Sequence, residues 1–374
     1  MKEYLEKSYE DALQIVRDLC AIPAPSGLED ERAKWCLDWF KSIGGNAFID
    51  EAKNVICEYN VTDSCNVSVF MAHTDTVFPD TTPMPFFEDE DRMYSPGVCD
   101  DTGNLASMLI AARYVISNRI PTTMGLVFVA NSCEEGLGNL KGSKAVLARY
   151  GSRIADFITV DGATMGAVVT KAVGSHRYEV TVRTEGGHSF AKFGNRNAIA
   201  CLSSMISTLY SVKVPSEGDS KTTYNVGTIT GGTSVNTIAQ EATMLYEYRS
   251  DNVVCLEKMK DMFLKVVEAY RSTGLDIDVK MIGDRPCNSA DLDMDRMNAL
   301  VAKADDSIIR CLGKEPFHRS GSTDANTALG QGIPAICVTG ATGGKCHTRE
   351  EWLDKKSLLV GSTHVLDLLT FYFA

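Results

Sequence analysis

The sequence predicts an α/β protein: a layered α/β domain interrupted by a smaller α+β insertion. Three observations lead there. Short apolar strands alternate with helical segments in the first 160 residues and again after residue 286. The stretch between reads β-α-β-β-α-β, the ferredoxin-like order. A chain of 374 residues is also longer than one hydrophobic core usually organises.

Taken in order, residues 7–20 carry helical spacing at Ala12, Leu13, Val16 and Leu19, and the stretch from Ile22 to Gly27, with two prolines, ends that helix. A second helix is expected over 29–43, stopped by Gly44-Gly45. Apolar runs at 55–59, 67–73, 125–131 and 157–160 read as strands, with a helix over 104–117. In the insertion, 176–184, 224–230, 243–248 and 275–282 read as strands, and 197–210 and 253–270 as helices. Gly174 and Pro286 are its expected hinges. The α/β pattern then resumes with a helix at 297–312, a strand at 335–338 and a helix near 356–371. The expected domains are therefore 1–173 with 287–374, and 174–286.

Composition narrows the function. Hydrophobic residues at 44% and charged residues at 23% are a globular balance. A net charge of -12 without a basic stripe argues against nucleic acid and anionic membrane surfaces as partners. No apolar stretch is long enough to span a bilayer, and the acidic N-terminus does not read as a signal peptide. Twelve scattered cysteines without a C-x-x-C pair then read as reduced thiols, and the expected location is the cytoplasm. Cys99, Cys133 and Cys346 adjoin candidate site residues. Thiolates bind zinc, but the reading preferred for these three is small packing residues in tight loops.

Five places carry candidate chemistry. His73-Thr74-Asp75 ends an apolar strand, where an α/β fold opens its ligand crevice, and Asp75 can fix the histidine tautomer. Asp100-Asp101 precedes a helix; paired carboxylates are costly to bury without a cation. Glu134-Glu135 follows another strand, with one carboxylate suited to binding metal and the other to moving a proton. Asp161 follows a third strand, and His347 lies in a Gly-rich loop after a fourth. Each alone has a structural reading: a helix cap, a solvated loop, an acidic helix start. Together they supply two imidazoles and several carboxylates at strand ends, a donor set suited to two zinc ions sharing one carboxylate.

The ordered set H-x-D, DD-x-G, EE-G, DG, GGH, GGT-x-x-N and a late His resembles the two-zinc metallopeptidase family of peptidase T, carboxypeptidase G, aminoacylase and succinyl-diaminopimelate desuccinylase. The resemblance runs from Ile22 to Trp352 and is nearest the peptidase T-like and dipeptidase branch. It implies a zinc-exopeptidase-like catalytic domain with an inserted lid that can also form a homodimer. By resemblance, His73, Asp100 and Asp161 bind one zinc, and Asp100, Glu135 and His347 the other. Cobalt or manganese could use similar ligands. Asp75 orients His73, Asp100 is joined to Asp101 by a cis peptide, and Glu134 is the general base. Asp161, where deacylases and carboxypeptidases commonly have Glu, points to an aminopeptidase or dipeptidase. Thr102 stands where the family often has a basic residue, which leaves the subfamily open.

In the insertion, His188 of Gly186-Gly187-His188 resembles the histidine that donates to the transition-state oxyanion. Asn236 of the GGT-x-x-N turn resembles a substrate-contacting donor, and Arg249 the arginine that grips a substrate carboxylate. Gly321–Ala325 resembles a small-residue loop at the substrate's edge, while His176, His318 and His364 read as structural. The implied reaction is hydrolysis of a peptide or other amide bond in a small peptide, by water activated at zinc. An N-acyl-amino-acid deacylase is the alternative, and a binding module that kept the fold is a third reading.

Overall fold

The runs Val67–His73, Gly125–Asn131 and Ile154–Val160 are apolar at almost every position, as strands covered on both faces must be. In the computed structural model, which describes all 374 residues, they form the centre of an eight-stranded mixed sheet. Its order is Asn46–Ile49, Val55–Tyr59, Gly125–Asn131, Val67–His73, Ile154–Val160, Ala335–Val338, Ala167–Ala172, Phe317–Gly321. The four strands from Gly125–Asn131 to Ala335–Val338 run parallel. Their carboxyl ends therefore open on one edge, where His73, Asn131, Asp161 and Thr339 emerge side by side.

The chain divides into two compact units, Met1–Ala172 with Ser289–Ala374, and Val173–Asn288. In the first, helices Tyr9–Cys20, Asn104–Ser117, Met294–Leu312 and Lys355–Thr370 pack together, with the core between them and the sheet. A second, four-stranded sheet, in the order Gly343–Gly344, Trp352–Asp354, Arg92–Tyr94, Phe87–Glu88, carries the loop that bears His347.

In the second unit, Thr222–Gly231, Glu241–Ser250, Gly174–Arg183 and Asp276–Arg285 form an antiparallel sheet in that order. Numbered along the unit this is 2-3-1-4, the ferredoxin-like arrangement. Tyr178, Val180 and Val182 alternate inward with Met244, Tyr246 and Tyr248, and pack under helices Ala198–Tyr210 and Val253–Arg271. Asn197 and Asn252 cap those helices by accepting backbone N–H groups, which fixes where each begins.

The α/β class holds, and so do its principal strands and helices. Several elements are absent from the sequence reading. Strands Asn46–Ile49 and Phe317–Gly321 are largely exposed edges without an apolar alternation. Helix Lys141–Tyr150 starts at Leu140, which is left-handed and caps nothing. Tyr9–Cys20 is the first expected helix, and a short helix, Lys2–Lys7, precedes it across Ser8.

Candidate metal centre

One strand end and three tight turns bring candidate residues to the crevice. His73 is the last residue of its strand and is buried. Gly97 opens the Asp100 turn at φ 76°, where a Cβ would stand 2.5 Å from Thr76 Cγ2, so glycine is required twice over. The Asp100-Asp101 peptide is cis. Cys133, left-handed at φ 59°, starts the turn that projects Glu134 and Glu135. His347 is itself left-handed, at φ 63°.

Asp100 sits between the two histidines: Oδ1 is 3.2 Å from His73 Nε2 and Oδ2 is 3.1 Å from His347 Nε2. His347 Nε2 is also 3.0 Å from Glu135 Oε1. Three overlapping groups have donor atoms within 4.8 Å of one another: His73, Asp100, Asp101 and Asp161; His73, Glu134 and Glu135; Asp100, Glu135 and His347.

Asp75 does more than the sequence suggested. His73 Nδ1 lies 3.0 Å from the Asp75 carbonyl and 3.4 Å from its Oδ1. The Asp75 carboxylate also accepts the backbone N–H of Glu134 on Oδ1 and of Glu135 on Oδ2, both at 3.0 Å, and the Ser26 hydroxyl at 2.6 Å. One buried carboxylate thus aligns the His73 ring and both glutamates.

The electrostatics test whether metal fits. Burial, together with the neighbouring carboxylates, pushes Asp101, Asp161 and Glu135 above the usual carboxylate range. Asp100 is held well below it, because His347 and His73 outweigh burial. His347 is raised to about 11 by Asp100 and Glu135. His73 is raised too: burial opposes its charge, but Asp101, Asp100 and Asp75 prevail. Five carboxylates thus meet around two imidazoles, an excess of negative charge that buried sites relieve with cations. Glu135 Oε1 and Asp101 Oδ1 are buried without a hydrogen-bond partner. Glu135 Oε1 lacks one even with His347 3.0 Å away, as when two donors aim at a common point rather than at each other. All donors are imidazole nitrogen or carboxylate oxygen, and the residues present fit divalent metal.

Three expected residues lie in the second unit. His188 Nδ1 faces the backbone N–H groups of Phe190 and Ala191 at 3.3 and 3.4 Å, which places its proton on Nε2. Asn236 is beside it on the same ribbon: its carbonyl accepts from Ser189, and His188 pairs with Thr237. Arg249 is held by Glu247, two positions earlier on the same face of its strand, through bonds of 2.9 and 3.1 Å.

The sequence reading gave no role of their own to three residues, although Asp324 lies in the Gly321–Ala325 loop that it set at the substrate's edge. Glu351 accepts the backbone N–H of Gly97, Cys99 and Asp100, each at 2.9 Å, and so fixes the Asp100 turn. Burial raises this carboxyl to about 7 against those three bonds. Asp324 is buried against Asn131 at 2.6 Å and is raised to about 7, by burial first and then by the charge of Glu134. Arg319, on the exposed edge strand, brings Nη2 to within 3.3 Å of where a Gly162 Cβ would be, next to Asp161.

Residues 69–370 match the model of peptidase family M20/M25/M40. The uncharacterized protein YqjE of Bacillus subtilis is 26% identical over 342 residues, covering 85% of this chain and 84% of that protein. The succinyl-diaminopimelate desuccinylase of Corynebacterium glutamicum is 23% identical, covering 91% of each chain. The crystal structure of aminopeptidase PepT from Bacillus cereus superposes with a TM-score of 0.73 at 24% identity, over 96% of this chain and 97% of that one. With most of its length matched by one family model, the chain belongs to peptidase family M20/M25/M40 and is a metal-dependent hydrolase of peptide or other amide bonds.

Proposed function

We propose that the chain is a two-zinc exopeptidase of the aminopeptidase or dipeptidase type, acting on small peptides. The observation that carries this is the placement of Asp100, whose two carboxylate oxygens each face a different histidine. His73, Asp100 and Asp161 would hold one ion, and Asp100, Glu135 and His347 the other; zinc suits these donors, as cobalt or manganese would. Two such ions acidify a water and polarise a scissile carbonyl.

The chain's own residues do the rest. Asp75 holds the backbone of Glu134, so that the Glu134 carboxylate can take a proton from the attacking water and return it to the leaving nitrogen. His188, with its proton on Nε2, is the donor read for the carbonyl oxygen as charge develops there. Asn236, beside it, would hydrogen-bond the substrate. Arg249 would have to release Glu247 to grip a substrate carboxylate; in the catalytic unit Arg319 reaches the Gly162 position that follows Asp161 and is a second candidate cation. Twelve free thiols suit a reducing compartment, read as the cytoplasm. The exposed edge strand Thr222–Gly231 is a surface through which two copies could pair.

The second reading is an N-acyl-amino-acid deacylase on the same metals, favoured by the relative named as a desuccinylase; Asp161 favours the peptidase. A panel of dipeptides, tripeptides and N-acetyl amino acids, run with and without chelator, separates the two. Chelator-sensitive turnover of the free-amine peptides is expected. Turnover confined to acylated amino acids would replace the peptidase reading with the deacylase.

A further inference from the structure

Arg32 is the bulkiest side chain that the fold buries completely. It stands in the first turn of helix Asp30–Ser42, where the helix dipole opposes a cation. Its acceptors are all neutral oxygens. Nε donates to the Ile22 carbonyl at 2.8 Å, and Nη1 donates to the Thr74 carbonyl at 2.9 Å and to the Thr102 hydroxyl at 3.4 Å. A buried charge without an ionised partner is costly, and well-packed apolar residues of similar volume are often the more stable filling. Core packing alone therefore does not account for a guanidinium here.

The places of its acceptors do. Thr74 lies between His73 and Asp75, and Thr102 directly follows Asp100 and Asp101. Ile22 opens the loop that carries Ser26, whose hydroxyl binds the Asp75 carboxylate at 2.6 Å. Three separate segments of the centre thus meet on one planar group. Nη1 alone spans the His73 segment and the Asp100 turn. The same two segments are joined a second time where the His73 backbone N–H donates to Asp101 Oδ2 at 2.8 Å. The rigid fork of arginine suits bonds that leave in fixed directions, whereas lysine presents a compact charge on a flexible stem.

We propose that Arg32 is a positioning residue of the metal centre: its guanidinium clamps the His73 segment to the Asp100 turn and so sets the reach from His73 to Asp100. That reach is 3.2 Å between His73 Nε2 and Asp100 Oδ1. Arg32 bonds to neither residue and acts through Thr74 and Thr102. Without the clamp, the bond from His73 to Asp101 loses its brace, and the two ligands move relative to each other. The effect on metal rests on the ligand assignment above, whereas the clamp itself does not.

The test uses the full-length chain carrying Arg32→Lys, which keeps the charge, or Thr102→Val, which removes one acceptor and keeps the arginine. Amide hydrogen exchange is read with and without zinc. In Arg32→Lys the His73 N–H should exchange about 10- to 100-fold faster, beyond any change at Val69 and Phe70 in the middle of the same strand. Thr102→Val should show a smaller change of the same kind, and it decides the question should Arg32→Lys fail to fold. On the cobalt-loaded chain, Arg32→Lys should alter the visible absorption and weaken one of two ions about 10- to 100-fold in a chelator competition. His73 exchange that changes only in step with Val69 and Phe70 would make Arg32 a residue of general stability and overturn the proposal. Faster His73 exchange with cobalt absorption and affinity unchanged would overturn its effect on the metal. A wild-type chain that binds no cobalt refutes the ligand assignment instead, and the exchange still decides the clamp.

Discussion

Asp75→Asn separates two accounts of that residue. If Asp75 only orients His73, asparagine should serve nearly as well, because His73 Nδ1 already lies 3.0 Å from the Asp75 backbone carbonyl. The structure assigns it more. Its two oxygens accept the N–H of Glu134, the N–H of Glu135 and the Ser26 hydroxyl, all in a buried setting. An asparagine amide set in the same place turns an NH₂ toward one of those backbone donors, whichever way it faces. One charge-assisted bond is lost, and a buried N–H is left without an acceptor. At ~1.5–3 kcal/mol for the bond and ~1–3 kcal/mol for the orphan, partly relieved by relaxation, the net loss is about 2–4 kcal/mol. Expressed in turnover, that is roughly 30- to 1000-fold, since each 1.36 kcal/mol is tenfold. The assay is kcat on a cleaved dipeptide, with zinc content and urea unfolding measured on the same samples. Turnover within about threefold of wild type, with unchanged unfolding, would refute the claim that Asp75 holds the glutamate turn.

Glu134→Ala should keep both metals and lose about 10²–10⁴-fold in kcat; full activity would remove the base assignment. His347→Ala should lose one metal by elemental analysis, and two ions retained would refute it as a ligand. Glu351→Gln turns an NH₂ toward the Gly97, Cys99 or Asp100 N–H and should weaken metal binding about 10- to 100-fold in a chelator competition, as changes behind a ligand commonly do. Equal affinity in the variant would show that the Asp100 turn holds itself. His364, buried against Ser307, is depressed from 6.5 to about 4, chiefly by burial. It is neutral in both states above pH 6.5, so its contribution is complete there. Below that the unfolded chain takes up the proton first, and stability falls by ~3 kcal/mol as pH drops through 4. His364→Gln should flatten that part of the urea-unfolding profile; an unchanged slope would exclude His364 as the source.

What could be read in the sequence follows from burial. Strands covered on both faces must be apolar throughout, so Val67–His73 and Gly125–Asn131 announce themselves, and polar residues at their ends stand out. His73, Glu134, Glu135 and Asp161 were found that way, and the structure gathers them with Asp100 and His347. Glu351 was harder to see because its partners are backbone N–H groups some 250 residues away, which no side-chain pattern reports. Arg319 lies on an edge strand whose exposure erased the alternation. For Arg249 the sequence showed the residue type but not its partner: in a strand residues two apart share a face, and Glu247 pairs with the guanidinium.

Anomalous diffraction from zinc-loaded crystals tests the central claim most directly. Two peaks are predicted about 3.5–4 Å apart, one on either side of the Asp100 carboxylate, the first next to His73 and the second next to His347. A lone peak, or metal sites away from Asp100, would contradict the account.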